Sequence, residues 1–355
     1  MDRRETERIL QAIRHARATG ERVALATVVR VRGSAYRREG TRILVRADGT
    51  YECLLSGGCL EPAVVDAAAR VIAGGDPVMV SYDLEEDSLW GLGIGCSGAV
   101  DIRIDRLEDD AITNAWLAML EEGTAGTLVT PLAEATGRLL VTARGTRGSL
   151  GSYALDALAV LAAGARIAGA HPQSGTETIA GAELFFELSL PPPRLVVFGA
   201  GHDAVPLAGH ARTLGFDVTV VDVREAFLAR ERFPGATLVA AHYSRFPEQL
   251  ALDARSFVVI MNHHLERDRE SLRFALASDA PYIGLLGPRS RFEKLLAALR
   301  ARGEDPGAHL LARVRNPVGL ALGAETPEEI AVSILGEITA LRRGFDAGFL
   351  NGRET

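Results

Sequence analysis

A chain of 355 residues with 47% hydrophobic and 24% charged side chains holds enough apolar material for two or three domains, which excludes a disordered or fibrous protein. Its formal net charge of −7 gives no general attraction to nucleic acid or to an anionic membrane, and no apolar run reaches the roughly 18 residues needed to cross a bilayer. Three cysteines make no disulfide framework, and the opening MDRRETERIL has no apolar signal core, so the chain reads as a cytoplasmic protein with reduced thiols and with neither nucleic acid nor membrane as partner.

Ile9, Leu10 and Ile13 fall at helical spacing and predict an opening amphipathic helix over 7–18. Val23–Val31 (VALATVVRV) then reads as a strand and leads into GSAYRREG at 33–40. Arg37 and Arg38 in that loop, with Arg42 just beyond it, are candidate anion contacts, because guanidinium groups and glycine-loop amides suit phosphate; solvated surface arginines are the plainer reading.

The stretch Leu54–Glu61 (LLSGGCLE) places Cys59 after Gly57 and Gly58 and before an alanine- and valine-rich helix over 64–72. A thiol at a helix N-terminus meets free N–H groups and the positive end of the helix dipole, which favour the thiolate, the form that attacks, carries sulfur or ligates a metal. The competing reading is a small buried cysteine in a glycine turn. A second glycine-rich segment, WGLGIGCSG at 90–98, holds Cys96, followed by a strand over 100–104. Neither the Cys53 to Cys59 spacing nor the step on to Cys96 fits a common zinc pattern.

A weak internal repeat links TRILVRADG (41–49) with GRLLVTARG (137–145), VVDAAARVIAG (64–74) with ALDALAVLAAG (154–164), and the strands at 99–107 and 182–190. Residues 22–107 and about 126–190 therefore read as two copies of one α/β unit. The second copy lacks both cysteine segments, which favours the thiols as additions to a scaffold that does without them.

Pro191-Pro192-Pro193 marks a linker. Beyond it the strand Leu195–Phe198, the turn Gly199-Ala200-Gly201-His202-Asp203-Ala204, a helix over 202–214 and a strand ending in Asp222 follow in the order of a dinucleotide-binding fingerprint. Gly199 permits the turn, Gly201 the approach of a pyrophosphate, and Asp222 stands where a ribose hydroxyl is held. Strands at 237–240, 257–260 and 282–286 alternate with helices at 268–277 and 291–301, and Asn262-His263-His264 follows a strand at the ligand-binding edge of such a sheet. Thr326-Pro327-Glu328-Glu329 opens a last helix that runs to about Arg342.

The predicted fold is thus an N-terminal α/β region with a weak internal repeat, followed by a Rossmann-like doubly wound parallel sheet. The domain boundaries are 1–125, 126–193, 194–345 and a tail at 346–355.

The segments GSAYRREGTRILV, LSGGCLE, GLGIGCSGAVDI, LVVFGAGHDAVPLA and NHHLERDRESL together resemble the XdhC/CoxI family, accessory proteins of xanthine dehydrogenase and related molybdenum hydroxylases. The resemblance implies a chaperone, more than a turnover enzyme, that binds molybdenum cofactor, promotes its sulfuration with a cysteine desulfurase as donor, and inserts it into the apo molybdenum hydroxylase, acting as a homodimer. It makes Cys59 and Cys96 the candidates for molybdenum ligation or sulfur relay. Gly57, Gly58, Arg37, Arg38, Arg42, Gly199, Gly201, His202, Asp222 and His263 become candidate cofactor contacts. Cys53 stands where the family pattern has glycine, and Ala321 where it has an aspartate. The alternative is an NAD(P)-dependent oxidoreductase, with NAD or another nucleotide on the Rossmann half; against it, the fold alone confers no activity.

Overall fold

In a computed structural model, residues 3–83, 98–133, 137–169 and 171–351 are described. Cys96 and most of its glycine segment lie outside them. The chain divides into two compact units, one running to Pro191 and the other starting at Pro192.

The first unit opens with α1 (Arg3–Thr19), which buries Ile9, Leu10, Ala12, Ile13 and Ala16 along one face. It continues through β1 (Val23–Gly33), β2 (Arg42–Arg46), β3 (Tyr51–Glu52), α2 (Glu61–Ile72), β4 (Val78–Asp83) and β5 (Gly98–Arg106). The same succession then recurs as α3 (Ala111–Glu122), β6 (Gly126–Pro131), β7 (Leu139–Thr142), β8 (Gly145–Gly148), α4 (Tyr153–Ala168), β9 (Gly175–Ile179) and β10 (Ala182–Ser189). Strand order is β3-β2-β1-β5-β4 in one sheet and β8-β7-β6-β10-β9 in the other, element for element the same, and every pairing is antiparallel. The repeat also includes the helix that precedes each sheet, a part that the sequence comparison missed because α1 is charged along its outer face whereas α3 is largely apolar.

Polar contacts join the two copies. Thr176 Oγ1 donates to the Val29 carbonyl at 2.7 Å, and Arg30 pairs with Glu183 at 2.6 Å. Arg42, 3% exposed, is ion-paired to buried Glu187 and lies with its guanidinium carbon 4.9 Å from the centre of the Trp116 ring. Arg42 is thereby withdrawn from the anion-binding role expected of it: it neutralises a buried carboxylate at the joint between the repeats.

The second unit is a parallel sheet of β11 (Arg194–Phe198), β12 (Asp217–Asp222), β13 (Thr237–Ala240), β14 (Ser256–Ile260), β15 (Tyr282–Leu285) and β16 (Val314–Arg315), in the order β13-β12-β11-β14-β15-β16. This is the dinucleotide-fold order 3-2-1-4-5-6, whose direction of winding reverses between β11 and β14. Its helices are α5 (Ala204–Thr213), α6 (Phe246–Gln249), α7 (Leu265–Leu276), α8 (Arg289–Arg300), α9 (Ala308–Leu311) and α10 (Pro327–Arg343).

The unbroken apolar run Leu195–Phe198 suits a strand covered on both faces. Leu195 and Val197 pack into a core with α5 and α10, whereas Val196 and Phe198 pack with α7 and α8. The capping box read at Thr326 and Glu329 is present and starts α10.

Truncating Arg42 to Met leaves the Glu187 carboxylate buried without its partner, which is expected to cost about 3–5 kcal/mol, while the double change Arg42→Met with Glu187→Leu recovers most of it. Urea denaturation of the two variants checks this, and a single-variant cost below about 1 kcal/mol would remove the ion pair from the joint.

Candidate functional site

The turn before α2 is organised by two buried side chains. The Glu61 carboxylate accepts from the amides of Leu55 at 2.9 Å and Ser56 at 2.8 Å, and from the Ser56 hydroxyl at 2.5 Å. Ser56 Oγ in turn accepts the amides of Gly58, Cys59 and Leu60 at 3.1–3.2 Å. Five backbone donors of the turn are therefore spent internally, so the cluster of free N–H groups expected around the Cys59 thiol is largely used up by Ser56 and Glu61. Burial pushes the Glu61 carboxyl up, but the Ser56 hydroxyl and the amides outweigh it and hold its pKa below the ordinary glutamate value.

Cys59 itself is partly exposed, just ahead of the helix. Among the described residues, a Cβ built on Gly57 or Gly58 would meet nothing within 4 Å. Gly58 has φ of +109°, which suits glycine, whereas Gly57 has neither a positive φ nor a neighbour that forbids a side chain. Among the described residues, the glycine pair leaves its own side-chain positions empty next to the thiol on a hydrogen-bonded turn.

Cys53 differs. It is buried at φ +71°, a left-handed conformation natural to glycine, and its Sγ lies 3.6 Å from the Glu5 carbonyl oxygen. Arg37 also reaches Glu5, through an ion pair to its carboxylate, so α1 gathers Arg37 and Cys53 on one residue. Arg38 is exposed.

In the second unit, Gly199, Gly201, His202, Asp222 and His263 do converge, at the carboxyl ends of β11, β12 and β14. A Cβ on Gly199 would stand 2.5 Å from the Met261 carbonyl oxygen, so this glycine is demanded by the close passage of the next loop. Above Gly201 the nearest atom is His263 Cδ2 at 4.0 Å. His263 adopts φ +54°, and its Nε2 lies 3.1 Å from Asp203 Oδ2, which puts a carboxylate at the start of α5 where a pyrophosphate would dock. His202 is exposed.

Asp222 is committed elsewhere. Its Oδ2 accepts from the Ala200 amide and Arg224 Nη2, both at 2.8 Å, and its Oδ1 from the Arg224 amide at 2.9 Å and Nε at 3.0 Å. Two donors on each oxygen fill a carboxylate, so no lone pair remains for a ribose hydroxyl. The expectation that Asp222 holds a ribose is corrected on this geometry: it ties the glycine loop to β12. Burial raises its pKa, and Arg224 and the amides more than reverse that, leaving it below the ordinary aspartate value.

A cleft of about 240 Å³ also opens at this edge of the sheet, lined by Asp222, His242, Tyr243, His264, Glu266 and Arg267 among others. Asp222 and His264 were singled out from sequence, and Glu266 and Arg267 lie with His264 in the NHHLERDRESL segment at the start of α7; His242 and Tyr243, after β13, were not singled out. Among the described residues no group of three or more His, Cys, Asp or Glu side chains is arranged to hold a metal ion, and no helix is long and apolar enough to cross a membrane.

Comparison with known proteins agrees with this architecture. Residues 195–338 match the model of the XdhC Rossmann domain, and residues 16–83 that of the XdhC and CoxI family. A Bacillus subtilis (strain 168) protein, named as a probable subunit of xanthine dehydrogenase, is 35% identical over 91% of this chain and 94% of its own. The chain belongs to the XdhC and CoxI family. It is also 25% identical to the Escherichia coli (strain K12) molybdenum cofactor insertion chaperone PaoD, over 94% of this chain and 88% of that one. The crystal structure of a xanthine dehydrogenase from Bacillus halodurans superposes with a TM-score of 0.77 at 28% identity, covering 94% of this chain and 96% of that one. The XdhC and CoxI match ends at residue 83, so it includes the Cys59 turn; the XdhC Rossmann match includes the glycine loop, Asp222 and the cleft.

Because both Glu61 and Asp222 titrate below their ordinary values when folded, each stabilises the protein fully above about pH 5 and loses that contribution as pH falls through its depressed value. Glu61→Gln and Asp222→Asn should each flatten the fall in urea midpoint between about pH 5 and pH 3. An unchanged pH profile in both variants would show that neither carboxyl is linked to folding.

Proposed function

We propose that this XdhC and CoxI family member is a maturation chaperone that holds molybdenum cofactor as cargo and passes it to an apo molybdenum hydroxylase of the xanthine dehydrogenase type. The observation that carries the reading is the Cys59 turn: a partly exposed thiol beside two glycines whose added Cβ atoms would meet nothing within 4 Å among the described residues, on a loop clamped by Ser56 and Glu61. Cysteine sulfur is a soft ligand that suits a molybdenum–sulfur centre, and the braced turn presents it partly exposed. The names of the relatives, an insertion chaperone and a component of xanthine dehydrogenase, support the same role.

In its finer form, the reading has a cysteine desulfurase supply the sulfur that becomes the terminal sulfido ligand, with Cys59 and Cys96 as the thiols that meet the metal. Arg37 and Arg38 lie in the loop proposed to meet the cargo's anionic end. The ordinary oxidoreductase alternative loses support from the commitment of Asp222 to Arg224 and the placement of Asp203 at the start of α5.

The homodimer belongs to this proposal, and its support is α4. The two charged side chains of that helix are both engaged within the unit, Asp156 with Ser149 and the Leu150 amide, Arg166 with Glu177 and the Phe186 ring. Its outward positions are all apolar or glycine, with Tyr153 90% and Leu161 70% exposed. An outward helix face without charge is suited to burial against another surface, and the proposed occupant is the same face of a second copy across a two-fold axis.

The purified wild-type chain, produced in cells that make molybdenum cofactor, should carry near-stoichiometric molybdenum and pterin, measured by metal analysis and by fluorescence of the oxidised pterin. Cys59→Ala should retain several-fold less, and equal retention would take the thiol out of the cargo site. For the dimer, Leu161→Glu should convert it to a monomer in sedimentation velocity; a wild-type chain that sediments as a monomer would defeat this part of the reading.

A further inference from the structure

The cleft in the second unit is not used by the thiol chemistry, and its side chains define a ligand class of their own. It lies where β12, β13 and β14 end, with Asp222, Ala241 and Asn262 on its wall. Arg267, half-buried on α7, lines it, and its guanidinium has no ion pair or hydrogen bond among the described residues. Of the cleft's carboxylates, Asp222 is saturated by Arg224 and two amides, whereas Glu266 accepts one bond, from the Tyr243 hydroxyl at 3.0 Å, and has Arg269 3.9 Å away.

Two histidines line the same cleft. His242 Nδ1 lies 2.9 Å from the Ser244 hydroxyl and 3.4 Å from the Ser244 amide, and His264 Nδ1 caps α7 by accepting from the Arg267 amide at 3.5 Å. In each ring Nδ1 is thus engaged within its own loop, and Nε2 is the nitrogen left for a ligand. The polar groups left over are an arginine and two imidazole Nε2 positions, beside a saturated Asp222 and a Glu266 that Tyr243 and Arg269 face. Such a set asks for an acceptor-rich anion.

We propose that this cleft binds a phosphate monoester, with Arg267 as its principal charge partner and His242 and His264 as further donors. A volume of about 240 Å³ is below the ~300 Å³ at which pockets for drug-sized ligands begin, so the site takes a small phosphate compound or the phosphorylated end of a larger one. Two sources share that chemistry: a mononucleotide, and the terminal phosphate of a pterin cofactor. Asp222 offers no free oxygen to a ribose diol, so recognition rests on the phosphate in either case.

The test uses the full-length chain and Arg267→Gln, which keeps the backbone amide that His264 caps. Exposed Arg289→Gln serves as the control. Calorimetric titration with inorganic phosphate and with AMP should give saturable binding to wild type and to the control, weakened about tenfold or more in Arg267→Gln. If AMP binds markedly tighter than inorganic phosphate, and molybdenum content is the same in Arg267→Gln as in wild type, the ligand is a nucleotide. If the two probes bind alike and Arg267→Gln also lowers pterin content, it is the cofactor phosphate. Absence of binding of both probes to wild type, or equal binding to Arg267→Gln, overturns the proposal whatever the behaviour of Cys59→Ala.

Discussion

The contact on which the first unit's chemistry depends is the one between a buried carboxylate and the loop that precedes its helix. Glu61 is fully buried, which would be costly for an unpaired charge, yet it accepts three hydrogen bonds from Leu55 and Ser56. Through Ser56 the constraint passes to Gly58, Cys59 and Leu60. The Cys59 backbone is therefore fixed by a network whose loss would expose buried donors at about 1–3 kcal/mol each, while the thiol stays partly exposed.

The second copy of the fold holds the same kind of brace. Asp156 accepts from the Ser149 hydroxyl and the Leu150 amide, both at 2.7 Å, and Ser149 Oγ accepts the Gly151 amide at 3.0 Å. The carboxylate–serine clamp is thus a property of the scaffold. The cysteine and its two glycines are what the first copy adds. Duplication also leaves a joint to be neutralised, and Arg42 with Glu187 does this at the cost of burying two charges, a solution that is stable only while both are present.

In the second unit a dinucleotide fold keeps its topology and redirects its signature residues. The glycine loop retains the tight turn at Gly199, but the acid at the end of β12 braces that loop, and the arginine two residues later saturates the acid. The free polarity has moved one loop over, to Arg267 and the histidines around the adjacent cleft. A shared fold with a reassigned site is what is expected when function is carried by side chains and not by the frame.

Several features were legible in the sequence because they depend on neighbours along the chain. They include the period of the buried runs, the glycine turn ahead of α2, the order strand–turn–helix–strand–acid after Pro193, the capping box of α10 and the likeness of 41–49 to 137–145. Only the tertiary structure could decide which polar groups were already taken. Arg42 and Asp222 looked like ligand contacts until Glu187, 145 positions away, and the Ala200 amide, 22 positions back, were seen to occupy them. Glu266 and Arg267, within the NHHLERDRESL segment, and His242, which the sequence did not single out, meet only because the ends of β13 and β14 bring them to one cleft. The physical reason is the same in each case: hydrogen-bond capacity is finite and local, so the groups free to bind a ligand are known only once the fold has filled the rest.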